Sequence, residues 1–414
     1  MSLDVRTRIR SDIRVLERDE LVETVLADAA RTHGELAARG LEVLGLPPIG
    51  FTLDDRGVTL ESERGRIVIR NGVERAGVVG VLDAAALSDL VQDTITMMGL
   101  AMTSRVRLSN GNLNDWIRWE PVLRALLDGR KVHEPGDIVL LDSDGSPLDL
   151  DRTFASDDDP EEMAYFLHEA GFLHLRAVFD ESEMQALRAD IDTWLARATP
   201  DDGASWWATD EHGVDHPVRV LFFHEKSETL RSLVADDRFA RIGALSGDGH
   251  VHRGGGEGLV KPLGIVRGLS DLPWHRDCGQ GWHSYQCSGL TCGISVTGAD
   301  RVSGALGVVP GSHRINTSSA GLDPGLDLAP RKLETRTGDV TVHCSDTLHR
   351  AYPPLERPRK VVYSGFGLPP RPDDTVHTEP FGRDQRAGLS DVQTRIAAAD
   401  NDADVARYRP GRGR

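Results

Sequence analysis

Apolar residues recur at helical spacing through the first stretch, 1–46. Val22, Val25 and Leu26 are followed by Ala29 and Ala30, and Gly40 and the Pro47-Pro48 pair punctuate the end. From Thr52 the period changes to two. Val58 and Leu60, then Ile67 and Ile69, alternate with polar residues around Glu63-Arg64-Gly65, which predicts a hairpin. Asn71-Gly72 makes a second turn. Asp83 caps a predicted helix with Leu87, Leu90, Val91 and Ile95 on one face. A strand is expected over 104–108. A helix over 113–127 buries Trp116, Trp119, Leu123 and Leu126, with Gly129 where its C-terminus would end.

The next stretch reads as a connector. Pro135-Gly136 and Asp144-Gly145 are turn signals around a short strand expected at 138–141. The acidic run Asp157-Asp158-Asp159 is a solvated segment ending in a helix cap rather than a calcium loop. Pro160 opens a helix with Met163, Phe166 and Leu167 on its apolar side and Gly171 as its stop. A strand at 172–175 follows. Asp180 with Glu183 forms a capping box for a helix through Met184, Leu187, Ile191, Trp194 and Leu195. A strand over 218–223 and a helix over 227–245 come next. From 259 to 367 the pattern is strand after strand: 260–266, 290–296, 306–309, 340–344 and 361–366. Helices followed by strands, with little parallel β-α-β alternation, point to a barrel or jelly roll. The tail from Pro369 is charged, with a helix expected near 392–399.

The fold class read from this order is α+β. A smaller α+β domain occupies 1–130, a linker 131–159, a β-rich domain with flanking helices 160–370, and a polar tail 371–414. The 414 residues carry a formal charge of −17, which argues against a broad nucleic-acid or anionic-membrane surface. No stretch approaches the apolar run of about 18 residues that a membrane span needs, and the opening residues lack a signal-peptide core, so a cytoplasmic location is expected. The four cysteines (Cys278, Cys287, Cys292 and Cys344) form no C-x-x-C pair and read as reduced, packed thiols. Cys287 and Cys292 could join a metal site, but packing is the preferred reading.

Candidate chemistry centres on Pro273-Trp274-His275-Arg276-Asp277. Side chains two apart on a strand share a face, so His275 and Asp277 can reach one small ion. A second histidine would complete two imidazoles and a carboxylate on one side of a divalent metal, the arrangement suited to non-haem Fe(II) and O2. His343 and His349 are the candidates. His349, just past a strand where loops converge, is preferred, with His343 beside it. His250, His252, His283 and His313 read as loop or turn residues. Trp274, Trp282, Trp206 and Trp207 could wall a cavity or fill a core.

Four motifs then occur in order: Trp274-His275-Arg276-Asp277; Gly304-Ala305-Leu306-Gly307-Val308-Val309-Pro310-Gly311-Ser312-His313; Gly338-Asp339-Val340 with Thr347-Leu348-His349; and Arg357-Pro358-Arg359-Lys360. Over about 160–370 the chain resembles the phytanoyl-CoA dioxygenase family of Fe(II)/2-oxoglutarate oxygenases. The resemblance implies a double-stranded β-helix (jelly roll), with His275, Asp277 and His349 as iron ligands. It also implies Arg359 as partner of the co-substrate's far carboxylate. A guanidinium suits that task through planar, bidentate pairing, with Arg357 and Lys360 as competitors and Lys360 on the opposite strand face. Many relatives place a small hydroxyl residue two positions after the distal histidine. Here that position is Ala351, so Tyr352 or Thr291 is the expected substitute. Related halogenases replace the carboxylate at Asp277, so its presence favours hydroxylation. The implied reaction consumes O2 and 2-oxoglutarate, releases succinate and CO2, and oxidises a small molecule, apolar or acyl-type among the possibilities. No nucleic-acid or membrane partner is expected. The order of elements over about 10–130 also resembles a sterol-carrier-type lipid-binding domain. Two other readings stand beside the oxygenase. One is a lipid or small-molecule carrier with a structural metal; the other is a cupin-like metalloenzyme that does not use 2-oxoglutarate.

Overall fold

The computed structural model describes residues 13–252, 254–268, 272–278, 283–284, 287, 289–323, 325–369 and 386. Trp282 and the helix expected near 392–399 lie outside them.

The N-terminal elements build one five-stranded sheet. Its strands are β1 (Ile49–Leu53), β2 (Arg56–Glu63), β3 (Arg66–Asn71), β4 (Val78–Val81) and β5 (Arg107–Asn110), in the order β3-β2-β1-β4-β5. The expected hairpin is β2–β3, turning at Arg64-Gly65 with both residues at positive φ. Helix Ala27–Leu44 packs on β3 and on helix Glu120–Asp128. Phe51, Leu60, Leu87, Trp116 and Trp119 are fully buried between sheet and helices. Asp83 caps helix Ala84–Val91 as expected, accepting from the Ala86 amide. Two details differ from the sequence reading. The helix over 113–127 is two helices, Leu113–Arg118 and Glu120–Asp128, because Pro121 has no N–H to give the Ile117 carbonyl. The last strand starts at Arg107 rather than 104, because Ser104 sits in the left-handed region after helix Met97–Met102.

Fourteen further strands make two sheets. They are β6 (Phe154–Ala155), β7 (Phe172–Arg176), β8 (Ser205–Asp210), β9 (Asp215–Val220), β10 (Val251–His252), β11 (Glu257–Lys261), β12 (Ile265–Arg267), β13 (Leu272–His275), β14 (Leu290–Ser295), β15 (Leu306–Val308), β16 (Arg331–Leu333), β17 (Val340–Cys344), β18 (His349–Ala351) and β19 (Arg359–Gly367). The major sheet runs β12-β8-β9-β11-β19-β14-β17-β7-β6, with β10 also on β19; the minor sheet runs β13-β18-β15-β16. This is the arrangement of a jelly roll, with mixed α/β content around it.

Alternation sorts the major sheet's side chains. Leu290, Cys292, Ile294, Val340, Val342, Val362 and Phe366 face one way, into a core shared with helices Pro160–Ala170, Glu181–Leu195 and Glu228–Ala235. Thr291, Ser295, Thr341, His343, Arg359 and Tyr363 face the other way, toward the minor sheet. The helix expected over 227–245 is broken at Asp236, which stays extended and caps helix Asp237–Ala244. Strand β9 stops at Val220 rather than 223, because Phe222 is left-handed at φ 52°. The β8–β9 hairpin holding Trp206 and Trp207 was not expected. Its Trp206, Ala208 and Val218 join the N-terminal core.

The stretch 131–159 runs along the β-rich part. Val132 bridges to Asn316, and His133 meets Asp327 at 2.7 Å. The strand expected at 138–141 reduces to a single bridge, Leu141 to Pro147, flanked by the Asp142 amide on the Ser146 carbonyl and the Leu148 amide on the Leu140 carbonyl. Among the described residues, no helix is long and apolar enough to cross a membrane.

Candidate metal centre

His275 ends β13, and its direct cross-strand partner is His349, the first residue of β18. Both point from the minor sheet's inner face, and their ring centroids lie 4.1 Å apart. Asp277 follows two residues later. Its Oδ1 is 3.4 Å from His275 Nε2 and 3.5 Å from His349 Nε2. One donor atom from each of the three residues falls within 4.8 Å of the others.

The tautomers are fixed by the backbone. His275 Nδ1 lies 2.6 Å from the Pro273 carbonyl and His349 Nδ1 lies 2.9 Å from the Thr347 carbonyl. A carbonyl only accepts, so each Nδ1 carries the proton and donates. Each Nε2 is left with a lone pair facing Asp277, the orientation a ligating histidine needs. Burial pushes His275 down from its usual range, His349 adds to that, and Asp277 opposes it. Burial alone would raise the Asp277 carboxyl. The close approach of His349, with the His275 and His343 rings beside it, instead holds it well below the usual carboxylate range. A neutral imidazole and an ionised carboxylate are the forms that bind a cation. The residues therefore fit a divalent metal with two nitrogens and one oxygen on one side.

Neighbours come from the major sheet. Thr291 donates its hydroxyl to Asp277 Oδ2 at 2.7 Å. His343 stands opposite Thr291 in the β14–β17 ladder, fully buried. Its Nε2 is 3.6 Å from Asp277 Oδ2, its ring centroid is 4.1 Å from that of His349, and neither ring nitrogen has a hydrogen-bond partner among the described residues. The two candidate histidines thus both stand beside Asp277, and His349 is the one in the three-donor group.

Arg359 opens β19 on the same inner face and is 4% exposed. One of its terminal nitrogens donates to the Tyr363 hydroxyl at 3.4 Å, while its buried Nε has no hydrogen-bond partner among the described residues. Arg359 lines a cavity of about 10 Å³ with Ser295, Thr335, Thr341, Tyr363, Leu306 and Leu333, room for about one water. Gly293 keeps that wall thin: a Cβ there would lie 2.8 Å from Thr341 Oγ1. The competing cations are engaged elsewhere. Lys360 pairs with Asp192 on the outer face, and Arg357 pairs with Asp300 at the surface.

Two expected neighbours are directed away from the centre. Tyr352 lies on the minor sheet's outer face, under the Arg350 guanidinium and edge-on to Trp274. Trp274 alternates with His275 and packs with Val309, Ile315, Leu328 and Leu348. Thr291, the other expected substitute for a hydroxyl at Ala351, is committed to Asp277. Tyr363 was missed; its signal was the shared face, four strand positions from Arg359, whereas alternation already put Thr341 on the face of His343 without giving it a role. Also unexpected was a separate donor group, Cys278, His283 and Cys287. His313 anchors a turn on the His168 carbonyl, and His252 bonds Ser364 while packing on Phe239 and Phe366.

Residues 167–355 match the family model described as phytanoyl-CoA dioxygenase (PhyH). Two curated relatives, the ectoine dioxygenases of Bordetella parapertussis and Bordetella bronchiseptica, are each 31% identical over 165 residues. Each match covers 37% of this chain and 49% of the relative, so the chain spans about half the length of the curated relatives it matches. A crystal structure of EctD from S. alaskensis with 2-oxoglutarate and 5-hydroxyectoine is 21% identical, covering 55% of this chain and 88% of that one, at a TM-score of 0.44. At that score the likeness assigns no residue here.

Proposed function

We propose that this chain, which carries a phytanoyl-CoA dioxygenase (PhyH) family domain over residues 167–355, is an Fe(II)- and 2-oxoglutarate-dependent dioxygenase that oxidises a small molecule. The observation that carries the reading is the convergence of His275 Nε2, His349 Nε2 and Asp277 on one point, with both Nδ1 atoms tied to backbone carbonyls.

His275, Asp277 and His349 would hold the iron. Bound there with 2-oxoglutarate, Fe(II) supplies O2 activation coupled to decarboxylation, giving succinate and CO2. The chain's own residues do the rest. Asp277 contributes the charge that offsets the cation, and Thr291 fixes the orientation of its carboxylate. Arg359, whose buried Nε has no hydrogen-bond partner among the described residues, offers planar pairing to the far carboxylate of the co-substrate. Tyr363 and Thr341 stand on the same face and can take the contact that Ala351 lacks. The carboxylate at Asp277 supports hydroxylation or a related oxidation over halogenation.

We assign the domains as 1–130, a linker at 131–159, a double-stranded β-helix at 160–370 and a polar tail at 371–414. The first unit docks beside the metal centre: the Ser284 amide donates to Asp93 at 2.8 Å, and Asn316 caps the carbonyls of Pro121 and Arg130. That contact supports a role for the unit in presenting a substrate.

Anaerobic titration of the protein with Fe(II) and 2-oxoglutarate tests the reading. A visible metal-to-ligand charge-transfer band is expected, followed by succinate release on admitting O2, both lost in His275→Ala. A folded protein that binds Fe(II) but never develops the band with 2-oxoglutarate would overturn it.

A further inference from the structure

We propose that Cys278, His283 and Cys287 form a second metal site, one for a thiophilic divalent ion of the zinc class. It would clip the segment that joins β13 to β14. One donor atom from each lies within 4.8 Å of the other two. Neighbouring ligand atoms around tetrahedral zinc are about 3.3–3.8 Å apart, given metal–ligand lengths of about 2.0–2.3 Å, so the group needs to contract by only about an ångström.

The donor chemistry separates this site from the first. Two sulfurs and an imidazole are soft and borderline donors, which select zinc-like ions. Two imidazoles and a carboxylate with open positions suit Fe(II). The spacing is C-x4-H-x3-C, so only short chain closures are needed to bring the donors together.

The surroundings also favour a ligated sulfur. The Gly289 amide donates to Cys287 Sγ at 3.4 Å, a bond that favours a thiolate. Buried Asp346 accepts the Cys287 amide, which fixes that end of the loop. The other end is fixed by the Asp277 amide, which donates to the Ser345 carbonyl at 2.9 Å. His283 is 5% exposed and within reach of both sulfurs. A disulfide between Cys278 and Cys287 would have no use for an imidazole there.

The position gives the site a consequence. Cys278 follows Asp277 directly, and Ser284 docks on Asp93 of the N-terminal unit. A filled site would hold the Asp277 backbone and keep both thiolates closed off from oxidation next to an oxygen-consuming centre.

Cobalt is the probe. The full chain is stripped of metal with a chelator under reducing conditions and titrated anaerobically with Co(II). A sulfur-to-cobalt charge-transfer band in the near ultraviolet is expected in the wild type and in His275→Ala, and its loss is expected in Cys278→Ser and Cys287→Ser. The His275→Ala arm separates this site from the iron reading, because the band must survive there whatever happens to 2-oxoglutarate turnover. Should the cysteine variants fail to fold, the wild type still decides. Zinc should protect two thiols from a thiol reagent, and a chelator should release them. Absence of the band in folded wild-type protein, or equal thiol reactivity with and without zinc, overturns the proposal, as does recovery of Cys278 and Cys287 as a disulfide from protein purified without reductant.

Discussion

Thr291 donates its hydroxyl to Asp277 Oδ2 over 2.7 Å, and it does so across the two sheets. Asp277 follows β13 of the minor sheet, while Thr291 lies on β14 of the major one. The carboxylate's second oxygen is thereby occupied, which leaves Oδ1 as the atom nearest both His275 and His349.

Thr291→Val keeps the shape and deletes the bond. Loss of such an outer partner typically costs about 10–100-fold in metal affinity. Fe(II) or Co(II) titration should show a drop of that order, with unfolding midpoints little changed. Unchanged metal affinity would mean that the hydroxyl does not orient Asp277.

The metal centre was legible in the sequence because its parts obey local rules. His275 and Asp277 are two apart, and strand alternation put Thr341 and His343 on one face. What was not legible depends on cross-strand register. Nothing in a single strand says that Thr291 meets Asp277, or that Tyr352 turns outward to stack on Arg350 while Tyr363 turns inward beside Arg359. The closeness of two cysteines was hidden for a similar reason. All four are free thiols, as expected, and Cys292 and Cys344 are buried, but no periodicity in the sequence says that Cys278 and Cys287 meet His283. Helix breaks at Trp119 and Asp236 escaped because a helical apolar pattern continues across both; the proline and the cap decide the break.

Arg359 is the residue that separates 2-oxoglutarate chemistry from a metalloenzyme without it. Arg359→Ala removes a buried guanidinium whose proposed partner is a carboxylate. Truncating one member of such a pair costs about 2–5 kcal/mol, tens- to thousands-fold in affinity. The KM for 2-oxoglutarate should rise on that scale while Fe(II) affinity stays constant, and Arg359→Lys should recover part of the loss. An unaltered KM would favour the cupin-like alternative.

Arg124 is fully buried among three carboxylates: Asp93 at 3.6 Å, Glu120 at 3.4 Å and Asp128 at 3.2 Å, with the Leu90 carbonyl at 2.7 Å. Breaking a buried ion network by removing one partner typically costs about 3–5 kcal/mol, because the remaining charges stay buried and unpaired. Arg124→Met should lower stability by that amount in denaturant titrations. Because Asp93 also accepts the Ser284 amide, the variant should weaken docking of the loop beside the metal centre. Faster amide exchange at Ser284 would register it; a stability change under about 1 kcal/mol would show that the charges find other partners.

Glu120 gives the network a pH signature. Burial raises its carboxyl to about 7, with Arg124 opposing and Asp93 reinforcing. In the unfolded chain it ionises near the ordinary glutamate value of about 4.3. Between those limits the folded protein keeps a proton that the unfolded chain has released. Stability therefore falls as pH rises through that window, by at most about 1.4 kcal/mol per pH unit. Glu257 works with the opposite sign. Burial would raise it, but Arg219 and Arg386 bring it down to about 2, so its stabilisation is present above about 4.3 and is lost as pH falls toward 2. The difference in unfolding free energy between wild type and Glu120→Gln, followed by urea titration from about pH 4.5 to about pH 8, isolates the first effect. It should grow in the variant's favour up to about pH 7 and then level off. A flat difference would mean that Glu120 is ionised in the fold and that Arg124 overrides its burial.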